Sequence, residues 1–309
     1  VETLRLQDIQ AYYESKPNGL ITDLNIGEFE VEIPNIDLEN QNIVIGELSL
    51  LNSDIAILTE TNGSNQPAMD SGSNSSSEAP AFEWPPFKIE AEQLVLENNN
   101  FDFRRGSAQP QKYQFNPNAI ALTNLSLDAE NVYLKNNTAG VELNALNFQE
   151  FSDFNLDRMS FNLKISEEQL SLQQLDLKLN KNIIQGFAEL NYNSLSGFIE
   201  QPEQTRVNLN FPELRLSLEE LFKFQPKLAE NNYLKSLSQR PIVGNINASG
   251  TLANINIANL NLSWGQDTSI VTNASIQNPT KVEKIQFDVP NLVIETSRAD
   301  AIQFVDTTG

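Results

Sequence analysis

The chain of 309 residues contains no cysteine and no histidine. Without cysteine there are no disulfides, no thiolate nucleophile and no thiolate metal site; this is compatible with an oxidising compartment. Without histidine the commonest general base and transition-metal ligand is missing, along with every Ser-His or Cys-His arrangement. An enzyme made from this chain would have to run on carboxylates, Lys, Tyr or a bound ion. There is no run of about 18 apolar residues, so no helical membrane span is predicted, and no signal peptide is visible. Basic residues are scarce, 20 Lys and Arg against 41 Asp and Glu, for a net charge of -21. That balance argues against nucleic acid, whose binding is dominated by cationic side chains on phosphates. It also argues against loose adsorption to anionic lipid surfaces.

What the chain does have is a repeat. The pattern apolar-x-apolar-x-x-apolar-x-apolar occurs nine times, beginning at Leu24, Ile43, Ile89, Ile120, Val141, Leu170, Leu209, Ile255 and Phe287. Within each half the period is two, as a strand with one buried face requires. The intervening residues are mostly polar, for example Asn25 and Glu30, Ser171 and Asp176, or Asn256 and Asn261. A parallel sheet buried on both faces would read as continuous apolar runs. The prediction is therefore an all-β chain forming one long, mostly antiparallel sheet with one apolar face.

The central pair of each octamer breaks the period by one. A two-residue hairpin turn needs positive φ and favours Asn-Gly or Gly-x. Pairs such as Gln173-Gln174, Pro212-Glu213 and Pro290-Asn291 do not suit it. A β-bulge, in which one extra residue returns both halves to the same face and bends the strand, does. Gly27, Gly46, Pro212 and Pro290 share the fourth position of their octamers, and Gly and Pro inside strands favour bulges and edges. Bent strands predict a curved sheet.

Along the chain, residues 1–59 and 85–309 read as two stretches of the same sheet. Residues 60–84 are predicted to be a disordered insert, since 61–80 hold almost no large apolar side chain. A helical insertion is predicted over 217–238. Ser217 followed by Glu219 and Glu220 resembles a capping box, Pro226 ends or kinks that helix, and a second short helix includes Leu228, Leu234 and Leu237. Val1 begins directly in a strand-like segment, and the far end stops without a cap. The chain is therefore read as a piece of a longer protein.

Candidate chemistry is sparse. The oxygen-rich stretch from Asp70 to Glu78 suits Ca²⁺ by ligand type but lacks EF-hand spacing, and a polar loop explains it. Glu219 with Glu220, and Glu90 with Glu92, are adjacent carboxylates of the kind that acid–base chemistry uses; a helix cap and a solvent face explain them. Trp84 and Trp264 suit sugar stacking or a lipid interface, although packing at a sheet end is the commoner fate. The apolar stripe is far larger than any of these. Periodicity alone leaves two readings of it open: the inner face of a β-sandwich, or the lining of an open groove filled by a ligand.

Segments such as INIANLNLSWGQDTSIVTNASI and IALTNLSLDAENVYL, with the lead-in from Gly244 to Ile255, resemble the TamB/AsmA-like family of Gram-negative envelope proteins. The resemblance implies a long sheet curled into an apolar groove (a β-taco) and a non-enzymatic protein without cofactor. It implies a periplasmic segment of the cell envelope, anchored to the inner membrane through a part of the protein not in this sequence. It further implies roles in lipid transport and in outer-membrane protein assembly, with a β-barrel partner engaged elsewhere. Phospholipid acyl chains would rest on the apolar face while head groups stay in solvent.

The lining then expected is Leu24, Ile26, Ile43, Ile45, Leu48 and Leu50 in the first part. It continues with Leu94, Leu96, Ile120, Leu122, Leu125 and Leu127, and with Leu170, Leu172, Leu175 and Leu177. Leu209, Phe211, Leu214, Leu216, Ile255, Ile257, Leu260, Leu262, Leu292 and Ile294 complete it. The alternative is a β-sandwich module for surface adhesion or glycan binding. An acidic carboxylate enzyme on a β-solenoid is a third.

Overall fold

The computed structural model describes residues 2–60 and 82–304. The predicted insert falls mainly on residues outside this set, as does the Asp70–Glu78 stretch. The first strands are β1 (Glu2–Ser15), β2 (Leu20–Ile33), β3 (Asn35–Asp37), β4 (Asn42–Leu51) and β5 (Asp54–Thr59). Then follow β6 (Lys88–Arg105), β7 (Ala119–Lys135), β8 (Thr138–Glu150), β9 (Phe154–Ser166), β10 (Gln169–Leu179) and β11 (Asn182–Asn191). The last are β12 (Arg206–Leu216), β13 (Ile242–Thr251), β14 (Asn254–Trp264), β15 (Thr268–Gln277) and β16 (Gln286–Glu295). All belong to one curved sheet of 16 strands.

From β6 to β16 the sheet is an antiparallel meander in chain order. β4 and β5 lie end to end beside β6 and run parallel to it. A parallel pair cannot be closed by a tight turn and needs a long connection. The stretch between Thr59 and Lys88 supplies one, which is a topological reason for an insert that composition marked only as polar.

Where β4 gives way to β5, the ladder is broken at Asn52 and Ser53. The side chain of Asn99, in the adjacent β6, repairs it. Its Oδ1 accepts from the Ser53 N–H at 2.9 Å and its Nδ2 donates to the Leu50 carbonyl at 2.8 Å. Ser53 Oγ in turn accepts from the Gly27 N–H at 3.1 Å. Asn99 and Ser53 are almost wholly buried, and the hydrogen bonds explain how polar groups survive there.

The expected bulges are present in six of the nine octamers. Register slips by one at the centres of those in β7, β8, β10, β12, β14 and β16. Asn124 and Gln174, at two of these centres, hold left-handed φ of 53° and 54°. Opposite the β10 bulge, Gly186 has φ 149°, and a Cβ there would lie 2.1 Å from the Asn210 carbonyl oxygen. The octamers in β2, β4 and β6 show no slip at their centres. In β2 the partner strands change conformation at the same level instead, with Asp8 at φ 52° and Asn52 at φ 51° facing Gly27. From β8 onward, each bulged octamer strand alternates with an octamer-free one, namely β9, β11, β13 and β15. The repeating unit is thus a hairpin with one bent strand.

The strand ends make two rims. One carries α1 (Leu195–Glu200), and the other carries α2 (Glu219–Phe222), α3 (Asn232–Ser238) and α4 (Arg298–Ala301). The expected helical insertion is therefore present as α2 and α3, with Pro226 starting a 3₁₀ turn between them. The capping box is not formed, because Ser217 makes no cap bond and its N–H goes to Asn182 Oδ1 instead. Among the described residues, no helix is long and apolar enough to cross a membrane.

Candidate functional site: an apolar trough

Cross-strand pairing joins the apolar side chains into rows that cross the whole sheet. One row runs through Leu6, Phe29, Leu50, Leu96, Leu127, Leu146 and Met159, then Leu177, Ile184, Leu214, Gly244, Leu262, Ile270 and Ile294. A second, near the α1 rim, runs through Ile36, Ile43, Ile89, Leu134, Ala139, Ile165 and Leu170. It continues through Leu190, Val207, Gly250, Ile255, Ile276 and Phe287. Between them, Val141, Leu163, Leu172, Ala188, Leu209, Ala248, Ile257 and Ala274 form another. Toward the other rim, Leu24, Ile55, Phe101 and Leu122 stand side by side. None of these rows contains a charged residue. The opposite face carries polar rows such as Lys164, Ser171, Glu189, Asn208, Ser249, Asn256 and Ser275.

No second sheet covers the apolar face among the described residues. The described strands therefore do not form the two separate sheets of a sandwich core. Yet Val31, Ala91, Ala129, Leu143, Val207, Ala248 and Ile257, all on that face, are buried. Burial without a covering layer is the mark of the inside of a curve, where neighbouring side chains crowd together. The whole chain exposes 19603 Å², whereas a globular monomer of its mass would expose roughly 13,000 Å². The undescribed residues, even fully extended, would account for only about 4,400 Å² at 1.45 Å² per dalton. A row crossing fourteen strands at 4.7–4.9 Å each is roughly 60 Å long.

The structure sets the expected lining residues on this face with differing exposure. Most are half-buried, Leu170, Leu172, Leu175 and Leu177 among them. Ile257 is 6 % exposed and sits beneath its neighbours, while Leu292 and Ile294 lie open on the edge strand at 53 % and 54 %. Much of the face comes from residues outside the octamers: Met159, Leu163 and Ile165 on β9, Ile184 and Leu190 on β11, Ile270 and Ile276 on β15. Plain alternation in these strands was the available signal.

Three of the four carboxylate candidates have ion-pair partners. Glu220 is buried and pairs with Lys223 at 2.9 Å and with the Asn180 amide. Glu219 meets Lys181 at 3.0 Å, and Glu90 meets Lys135. Among the described residues no cluster of three or more acidic side chains is placed to hold a metal ion. Trp84 packs edge-on to Phe82 and donates to Glu167 on the α1 rim. Trp264 donates to the Leu237 carbonyl of α3 at 2.9 Å and packs on Phe304.

Asp300, missed by sequence reasoning, locks α4 to the turn between β14 and β15. Its carboxylate accepts from the N–H groups of Gln266 and Asp267, both at 3.0 Å, and from Thr268 Oγ1 at 2.9 Å. The Asp267 N–H foremost, then Thr268, Gln266 and the charge of Arg240, hold its pKa below the ordinary aspartate value against the opposing effect of burial.

Comparison with protein-family models, with characterised proteins and with solved structures gives no match for this chain.

Proposed function

We propose that the chain is a lipid-conducting segment of the TamB/AsmA-like kind, with phospholipid acyl chains lying along the trough and head groups at its open side. The observation carrying this reading is the apolar rows across a sheet that has no second layer among the described residues. Exposed apolar patches beyond about 600 Å² are rare on monomers without a partner. A length of roughly 60 Å is about twice the hydrocarbon core of a bilayer, so the trough can take the chains of more than one phospholipid. The absence of charge along the rows fits acyl chains better than sugars or peptides. A periplasmic location and a β-barrel assembly partner belong to the same proposal and rest on the resemblance alone.

Native mass spectrometry of gently purified protein tests the reading. The wild type is expected to carry phospholipid. Leu175→Glu, at a half-buried position opposite Gly186, is expected to fold by circular dichroism and lose most of it. Ile257 is the poorer probe, since a charge at so buried a site perturbs folding first. A lipid-free wild type, or undiminished lipid in Leu175→Glu, overturns the proposal.

A further inference from the structure

The two rims of the sheet both expose large apolar side chains, Ile36, Leu38 and Ile199 on one and Tyr113, Tyr233 and Ile302 on the other, but differ in charge. The rim with α1 comprises residues 34–41, 82–87, 136–137, 167–168, 192–205, 252–253 and 278–285. It holds Asp37, Glu39, Glu83, Glu167, Glu168, Glu200, Glu203 and Glu283 against Lys281 and Lys284 only. The opposite rim is a continuous layer. Phe115 of the 106–118 loop donates its N–H to the Lys223 carbonyl at 3.0 Å and packs on Phe224. Tyr113 donates its N–H to the Ser152 carbonyl, and Ser236 of α3 donates to the Gln303 carbonyl beyond α4.

On this second rim the acids are mostly engaged. Glu220 and Asp153 contact Lys223, Glu219 contacts Lys181, and Asp300 is buried under the turn it caps. Glu60, Glu230 and Asp267 remain exposed. Against them stand Lys112, Lys227, Lys235 and Arg298, all exposed and in no ion pair among the described residues. Interleaved are Tyr113, Phe151, Leu221, Tyr233 and Ile302, which are 47–69 % exposed. Lys112 lies over the Phe151 ring at 5.3 Å. The net charge of -21 hides this segregation.

From this juxtaposition of cationic and aromatic side chains we propose that the α2–α4 rim seats on the surface of an anionic phospholipid bilayer, with the acidic rim turned away. Tyrosine and other amphipathic aromatics favour the head-group region, and Lys and Arg beside them meet lipid phosphates within a Debye length. The inference does not depend on what the trough carries.

Flotation with vesicles of phosphatidylcholine and phosphatidylglycerol in equal parts, against pure phosphatidylcholine, tests it. The wild type is expected to float with the mixed vesicles, more strongly at low salt. Each charge removed lowers partitioning about fivefold, so K227E/K235E, which removes and reverses two, is expected to lower it at least 25-fold. Y113S/Y233S is expected to weaken binding to both vesicle types. F87S/I199S on the acidic rim is expected to change nothing, and Leu175→Glu to leave flotation intact. All these positions except Leu175 are exposed, so folding is not at issue for the rim variants. The proposal is overturned if the wild type does not float, if K227E/K235E floats as the wild type does, or if Leu175→Glu abolishes flotation while the rim variants retain it.

Discussion

At the scale of single residues, stability depends on a few buried polar side chains that substitute for missing ladder bonds. Asn99 is one. Removing it leaves the Ser53 N–H and the Leu50 carbonyl without partners in a buried site. Asn99→Ala is expected to lower unfolding free energy by about 1–3 kcal/mol, read by urea denaturation. A variant as stable as the wild type would show that water replaces the side chain. Asp300 is another. Its folded pKa lies below its ordinary value, so its contribution is fully present above the ordinary carboxylate range and is lost as pH falls through the folded pKa. In a Trp84→Phe background, Trp264 emission should report release of α4 on acidification. In Asp300→Asn the change should already be present at neutral pH. Neither residue was legible in the sequence, because an Asn within a strand or an Asp near a chain end has no periodic signature; its partners are distant in sequence.

At the scale of the element, the octamer is a strand with one residue too many. In β10 the surplus lies at Gln173-Gln174, and Gln174 takes the left-handed conformation that accommodates it. Gln174→Gly should be neutral or stabilising by up to about 1 kcal/mol, since glycine adopts that conformation freely. Deletion of Gln174 should leave a folded strand, because Leu170, Leu172, Leu175 and Leu177 then alternate strictly on the apolar face, with Leu172 still opposite Ala188 and Leu175 still opposite Gly186. A deletion variant that shows no cooperative thermal melt would refute a single surplus residue as the source of the slip. The bulge was legible because apolar spacing and turn chemistry are both local. The unslipped octamers of β2, β4 and β6 were not distinguishable, because their break is accommodated by left-handed residues on neighbouring strands, Asp8 and Asn52 among them. The Ser217 capping box misled for a similar reason: Asn182 offered the Ser217 N–H a partner, and Lys223 and Asn180 claimed the Glu220 carboxylate.

At the scale of the molecule, a single-layer sheet leaves its stability open to whatever fills its concave side. Anything that binds the folded chain alone stabilises it by mass action, by about 2.7 kcal/mol at a hundred times Kd. Delipidated protein is therefore expected to melt lower, and added phosphatidylethanolamine to raise Tm by about 4 °C, as followed by scanning calorimetry. No shift would count against a trough that holds lipid.

The sequence by itself determined that the chain is one-sided β structure bent at regular intervals, since both facts are written in spacings of eight residues or fewer. It also placed Leu170 to Leu177 and Ile255 to Leu262 on one face. Only the tertiary structure decided whether that face meets another sheet or stays open. A half-apolar strand looks the same in either case, and the outcome rests on how many sheets the strands join and where the edges β1 and β16 end. The tertiary structure also sorted the charges, because residues such as Lys112, Lys227 and Arg298, far apart in the chain, share a rim only once antiparallel strands bring alternate turns to the same side.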